Sequence, residues 1–420
     1  MHPYNVVGFF IVFINLNFLY IFNQVGTGNS VNFARSTIST VWEVTAGMGF
    51  FLALTIAMVG GIFLASAGRV TATPVEEDLR LSKAGKLVFW ICAAMAAWVS
   101  LSVIGQSLSR GSLFYIAGIR QAFFRENAVF YVMLSLLAPA TIVAIAWQRR
   151  DRSRFSFWLI PLVAIGLLLP LGSRGALLYV LIALMTAAAV NGRKIRAIWM
   201  YLGSPVVALI LVLLRYFREG SSASFGFGQY LDVNSQELLF GNMDFSTAEP
   251  IVLSANYDMI QRQPWDSLLA MLVAPLPRSM VPWKPEGASA AYSAAADPQR
   301  WVWTQSEFVI TGFANLKVEL GIAGAIFSVF VLSALWAGRL RRASQSGPHR
   351  YALTAVLLTL SAYIFIRGDL YNLALFLWPV AIVLTGRRFI AGLFRGDAKR
   401  KKDVVRTPAL VLGQQEAHWR

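Results

Sequence analysis

The fold class predicted by this sequence is all-α, a polytopic helical membrane protein, and three observations predict it. Of the 420 residues, 57% are apolar or aromatic and only 14% are charged, too few polar groups to coat a soluble globule of that size. Apolar runs of about 20 residues, enough to cross a ~30 Å hydrocarbon core, recur along the chain. The centres of these runs carry no charge.

Single crossings are expected at 6–24, 44–67, 87–105, 128–147, 198–214 and 320–338. The runs from Phe157 to Asn191 and from Tyr351 to Thr385 hold 35 residues each. At 1.5 Å per residue either would make about 52 Å of helix, too long for one crossing. Both read as hairpins, turned at Gly172-Ser173-Arg174-Gly175 and at Arg367-Gly368-Asp369, because such clusters punctuate helices. The expectation is about ten transmembrane helices with one large periplasmic loop between helices 7 and 8. Helices 1–7 then occupy 1–215, the loop 216–318, helices 8–10 319–386, and a basic tail 387–420.

The chain carries 37 Lys and Arg against 21 Asp and Glu, a formal +16. In a membrane protein such an excess is first explained by loop charges that set orientation, not by nucleic acid, and no nucleic-acid partner is expected. One set of alternate loops, 68–86, 149–155, 191–197, 339–350 and the tail from Gly386, holds 24 of the basic residues. These loops are assigned to the cytoplasm, with both termini, which leaves the 216–318 loop on the far side of the membrane. The first segment lacks a basic n-region and an A-x-A cleavage site, so it reads as a retained anchor. Cys92 is the only cysteine, which excludes an internal disulfide and a CxxC site.

The cytoplasmic pieces are short and show no Gly-rich phosphate loop, so neither ATP nor a nucleotide sugar is expected as a cofactor. The 216–318 loop, by contrast, holds roughly 100 residues, including Trp265, Trp283, Trp301 and Trp303, a composition unlike that of a disordered insert. Chemistry or binding is therefore expected on the outward side. Arg174 lies at the tip of the first hairpin between glycines, and Arg367 lies at the tip of the second. Each could anchor its hairpin at the interface, but two guanidiniums facing one loop also make an anion clamp, since the forked donors match phosphate oxygens and keep their charge. The stretch from Pro275 to Pro285 holds four prolines in 11 residues. These stiffen the backbone around Arg278 and Lys284, with Trp283 between them as a flat face that suits a sugar ring. Arg215, at the end of helix 7, reads as an interface anchor that could also turn inward.

A general base on this side must be a carboxylate, because His2, His349 and His418 all fall on the cytoplasmic side. Glu249, Asp258, Asp266, Glu307, Glu319 and Asp369 are the acids considered, and Glu307 is preferred for its place in Trp301-Val-Trp-Thr-Gln-Ser-Glu307 just before a helix. No metal site is expected, since no DxD or HxxE spacing occurs outside.

Gly172-Ser-Arg-Gly-Ala-Leu-Leu, Pro277-Arg-Ser-Met-Val-Pro-Trp-Lys-Pro285 and Asn315-Leu-Lys-Val-Glu-Leu-Gly-Ile-Ala-Gly324 together resemble the O-antigen polymerase (Wzy-type) family. The resemblance implies a bacterial inner-membrane glycosyltransferase that needs no nucleotide sugar and acts on the periplasmic face; the missing metal spacing makes it metal-independent. It would transfer a growing glycan from undecaprenyl pyrophosphate onto an incoming lipid-linked repeat unit, making O-antigen or exopolysaccharide, and would work with a chain-length-determining co-polymerase. It implies that Arg174 and Arg278, with Lys284, handle the lipid pyrophosphates. Catalytic roles are thus expected for Arg174, Arg278 and Glu307, and substrate-binding roles for Lys284, Arg367, Arg215 and Trp283. The alternatives are an O-antigen ligase, which resembles this layout but places a His in its large outer loop, and a lipid-linked oligosaccharide flippase or solute transporter, which would usually carry ionisable groups within its spans.

Overall fold

A computed structural model describes residues 3–33, 36–67, 79–109, 128–146, 154–168, 179–184, 247–276, 280–304, 308–345 and 347–412. The described residues are almost wholly helical, and the chain is polytopic. Among the described residues, seven helices are long and apolar enough to cross a membrane, and Trp158–Leu168 is a shorter apolar helix. The expected span at 198–214 and the first hairpin tip lie outside the described residues.

The first crossing, α1 (Pro3–Gly26), leads into a two-stranded antiparallel hairpin, β1 (Val31–Phe33) and β2 (Ser36–Ile38), in the register Val31 to Ile38. The crossings α2 (Val41–Ala67) and α3 (Leu79–Ser109) follow. The next crossing is broken into α4 (Ala128–Ser135) and α5 (Leu137–Ala146). Pro139 explains the break, since it has no N–H to donate to the carbonyl four residues back. α6 (Arg154–Leu168) and a helical piece at 179–184 are the described arms of the first expected hairpin.

Within the large loop the described residues form four short helices: α7 (Ala248–Asn256), α8 (Asp266–Leu272), α9 (Ala288–Ala296) and α10 (Pro298–Thr304). α11 (Gly312–Ser344) starts eight residues ahead of the span expected at 320–338, because Thr311 caps it by accepting from Ala314 N at 3.1 Å. Gly321 interrupts α11 with φ 71° and ψ 179°, a left-handed conformation that glycine alone adopts cheaply. The second expected hairpin is present: α12 (Pro348–Arg367) stops at Gly368, and α13 starts at Leu370. α13 continues to Leu412, so no helix break separates the last span from the basic tail.

Two apolar clusters hold the bundle. One joins α3, α5, α6, α12, α13 and the piece at 179–184; the other joins α1, the β-hairpin, α2, α7, α9 and α11. Phe10 packs against both, its ring 4.9 Å from that of Tyr363. Between spans the gain is close packing rather than release of water, because lipid tails are as apolar as the side chains they replace.

The two ends of the bundle differ. At one end Arg341 donates to the carbonyls of Ala65 and Ser66, Arg387 donates to Leu81 O at 3.0 Å, and the Tyr4 ring packs at a tilt against that of Trp336, 5.1 Å between centroids. The start of α1, the 339–350 loop and the passage of α13 at Arg387 therefore share a side. The β-hairpin, α7 to α10 and the α12–α13 turn gather at the other end, where Ser36 meets Tyr292 and Asn17 meets Thr247.

Candidate functional site

The polar groups of the loop layer converge where α8, α9, α11 and α13 meet. Glu319, on the half-turn of α11 before Gly321, is the hub. Its Oε1 accepts from Arg262 Nε at 2.9 Å, from Asn315 Nδ2 at 3.0 Å and from the Ser267 hydroxyl. Ser267 N also donates to both carboxylate oxygens, at 3.2 and 3.3 Å. The Arg262 and Glu319 side chains are each only 4% exposed. Ser267 and Asn315 are fully buried.

Asn315 extends the seam. Its amide donates to Ser267 Oγ at 3.0 Å, and its carbonyl accepts from Leu370 N, the first residue of α13, at 3.2 Å. Asp369 is the cap of that helix, accepting from Asn372 N at 2.8 Å. The other oxygen of Asp369 accepts from Ser289 N at 2.7 Å in the first turn of α9. Ser289 and Ser293 then receive Ile310 N and Phe308 N, which fastens the approach to α11 onto α9. Hydrogen bonds thus run from Arg262 through Glu319 and Asn315 to Leu370, and from the adjoining Asp369 through Ser289 and Ser293 to Phe308.

This geometry assigns different work to the two carboxylates. Glu319 takes donors from Arg262, Ser267 and Asn315, so its lone pairs are engaged in holding α8 against α11. Asp369 is occupied at two helix starts. Arg262 is less completely matched: Nη1 donates to Glu286 O at 3.0 Å, while the buried Nη2 has no hydrogen-bond partner. A buried donor without an acceptor costs about 1–3 kcal/mol. Arg262 therefore keeps an unmatched, buried cationic donor at this site, and local sequence did not reveal it. Gln261, Gln263 and Pro264 around it form no motif, and only its pairing across the fold distinguishes it.

Of the residues singled out from sequence, Arg174, Arg215, Arg278 and Glu307 lie outside the described residues. Lys284 is buried at 8% exposure, donating to the carbonyls of Ala274 at 2.8 Å and Leu276 at 3.1 Å, with its ammonium 5.5 Å from the Tyr371 ring centroid. It braces the turn after α8. Trp283 beside it is 65% exposed. Arg367 ends α12 half-buried and donates to Tyr363 OH at 2.9 Å. The Tyr363 ring lies 6.1 Å from that of Tyr179, five residues beyond Arg174. The second hairpin tip thus sits one helical turn from a contact with the returning arm of the first.

Of the remaining acids, Asp258 meets Lys317 at 3.2 Å and Asp266 accepts from Gln263 N at 3.1 Å. Tyr257 donates its hydroxyl to Glu43, and that hydrogen bond, with a little burial and the charge of Glu43, holds the phenol above its ordinary range. Its proton stays on through neutral pH. Among the described residues, no group of three His, Cys, Asp or Glu is placed to hold a metal ion. No family model, curated protein or solved structure matches this chain.

Proposed function

We propose that this multi-pass membrane protein is a glycan polymerase that joins undecaprenyl-pyrophosphate-linked repeat units on the periplasmic face of the bacterial inner membrane. One observation carries the reading: the loop between 247 and 311 is built onto the ends of α11 and α13 as a helical layer, and it buries a guanidinium, Arg262, with an unused donor. Such a layer suits a substrate whose reacting group is polar and whose carrier is lipid. Arg174 and Arg278 bind pyrophosphate in this scheme, Arg215 and Arg367 help to bind the substrate, Trp283 offers a face to a sugar ring, and Glu307 is the base. A chain-length-determining co-polymerase is the protein partner.

The flippase alternative draws support from the interruption of α11 at Gly321, since discontinuous helices are common in carriers. A deletion strain separates the two readings. Loss of a polymerase leaves a single capped repeat unit on the outer face and no long chains, whereas loss of a flippase leaves no outward repeat unit. The second pattern would refute the polymerase assignment.

A further inference from the structure

We infer that α8, with the turns 273–276 and 280–284 beside it, is a re-entrant element that dips into the bilayer alongside α13, its outer face meeting lipid acyl chains. This does not depend on the catalytic reading above. Hydrogen bonds give its depth. Asn315 is level with Leu370 through the bond from Leu370 N. Glu319 lies one turn further along α11, and Ser267 at the start of α8 is bonded to it. Four residues on, Met271 O accepts from Trp378 Nε1 at 2.9 Å. Trp378 is eight residues into α13, about 12 Å along the helix at 1.5 Å per residue. The descent from Ser267 to Met271, about 6 Å by the same rise, matches the change in level of its partners. The chain then returns, since Lys284 lies over the Tyr371 ring, next to where α13 begins.

The chemistry of the described part of the element suits that depth. From Ser267 to Pro277 there is no charged residue; Arg278 follows, and Lys284 in the second turn is buried on two carbonyls. Ser267 and Ala270 face the protein, while Leu268, Leu269, Leu272, Leu276 and Met280 are all exposed. In water such a face would be a costly apolar patch; beside α13, itself a candidate span, it continues a lipid-facing surface. Backbone away from a helix is tolerated at that depth only where the protein satisfies it. Here the carbonyls of Leu269, Met271, Val273, Ala274 and Leu276 all accept hydrogen bonds, those of Ala274 and Leu276 from the Lys284 ammonium. Trp265 and Trp283, each at least 60% exposed, stand at the entry and the exit, where interfacial tryptophans gather.

The test is spin labelling in lipid nanodiscs, with a nitroxide at Leu272→Cys in a Cys92→Ala chain. Ile382→Cys on the exposed face of α13 serves as the in-membrane reference and Gln261→Cys as the aqueous one. The expected result is that the label at 272 collides with oxygen several-fold more than with a water-soluble nickel chelate, as at 382, and that the order reverses at 261. Met280→Cys repeats the reading if Leu272→Cys does not fold. Chelate access at 272 equal to that at 261 would overturn the inference, as would shielding from both reagents, which would show that protein and not lipid covers this face.

Discussion

Arg262 and Glu319 lie 57 residues apart in sequence, yet Arg262 Nε sits 2.9 Å from Glu319 Oε1 with both side chains out of solvent. The pair ties the segment entering α8 to the first part of α11, just ahead of the Gly321 break. Charges buried in this way are weak sources of net stability, but removing one partner strands the other.

Arg262→Ala is accordingly expected to destabilise the protein by about 3–5 kcal/mol, read as an early thermal transition in detergent. Adding Glu319→Gln removes the stranded charge while keeping acceptor and donor atoms for Ser267 and Asn315, and should recover part of that loss. Equal melting of the single and double variants would show that the ion pair is not what holds α8 in place.

The contact of α2 with α11 predicts a contrast between adjacent glycines. A Cβ on Gly61 would overlap the backbone carbonyl of Phe330, whereas one on Gly60 would meet only the Phe330 ring, at 3.5 Å. Gly61→Ala should therefore cost about 1–3 kcal/mol through overpacking, and Gly60→Ala little. Thermal unfolding of the two purified variants decides it; indistinguishable midpoints would mean that the helices are not in backbone contact there.

For the proposed reaction, Arg174→Ala and Arg278→Ala should each lower polymerisation by about 10²-fold, the scale on which a preorganised donor stabilises developing charge. Lys should restore only part, because it lacks the forked geometry. The readout is glycan chain length at matched protein level. Normal long chains from both Ala variants would leave these residues as interfacial anchors.

Polymerisation of purified lipid-linked repeat units should persist in excess EDTA and without nucleotide. The expectation rests on the lack of DxD or HxxE spacing in the loops assigned to the outward side and of a phosphate loop in those assigned to the cytoplasm. A strict requirement for a divalent ion, measured by add-back after chelation, would contradict it.

Much of the bundle is legible because hydropathy is a local sum. The run from Tyr351 to Thr385 is too long for one crossing and carries its own interruption, so the stop at Gly368 and restart at Leu370 follow from composition alone. The site was legible only in its ingredients. Glu319 and Asp369 were visible as candidate acids, but nothing near them separated a hub of hydrogen bonds from a solvated carboxylate. Lys284 is expected from sequence to bind substrate from a stiffened strap, whereas the fold turns it inward onto two carbonyls.

The sequence by itself determined that this chain is helical, membrane-embedded and divided between lean apolar spans and one large, aromatic-rich loop. Those properties are set by how many apolar residues occur in succession and by where glycine, proline and charge interrupt them. Only the tertiary structure decided that Arg262 would meet Glu319, that Asp369 would join the first turns of α9 and α13, and that α8 would run down the side of α13. Each of these depends on which distant donors fill a given carboxylate or carbonyl, a matching that hydropathy does not encode. It is settled by the requirement that buried polar groups find partners once the helices have packed.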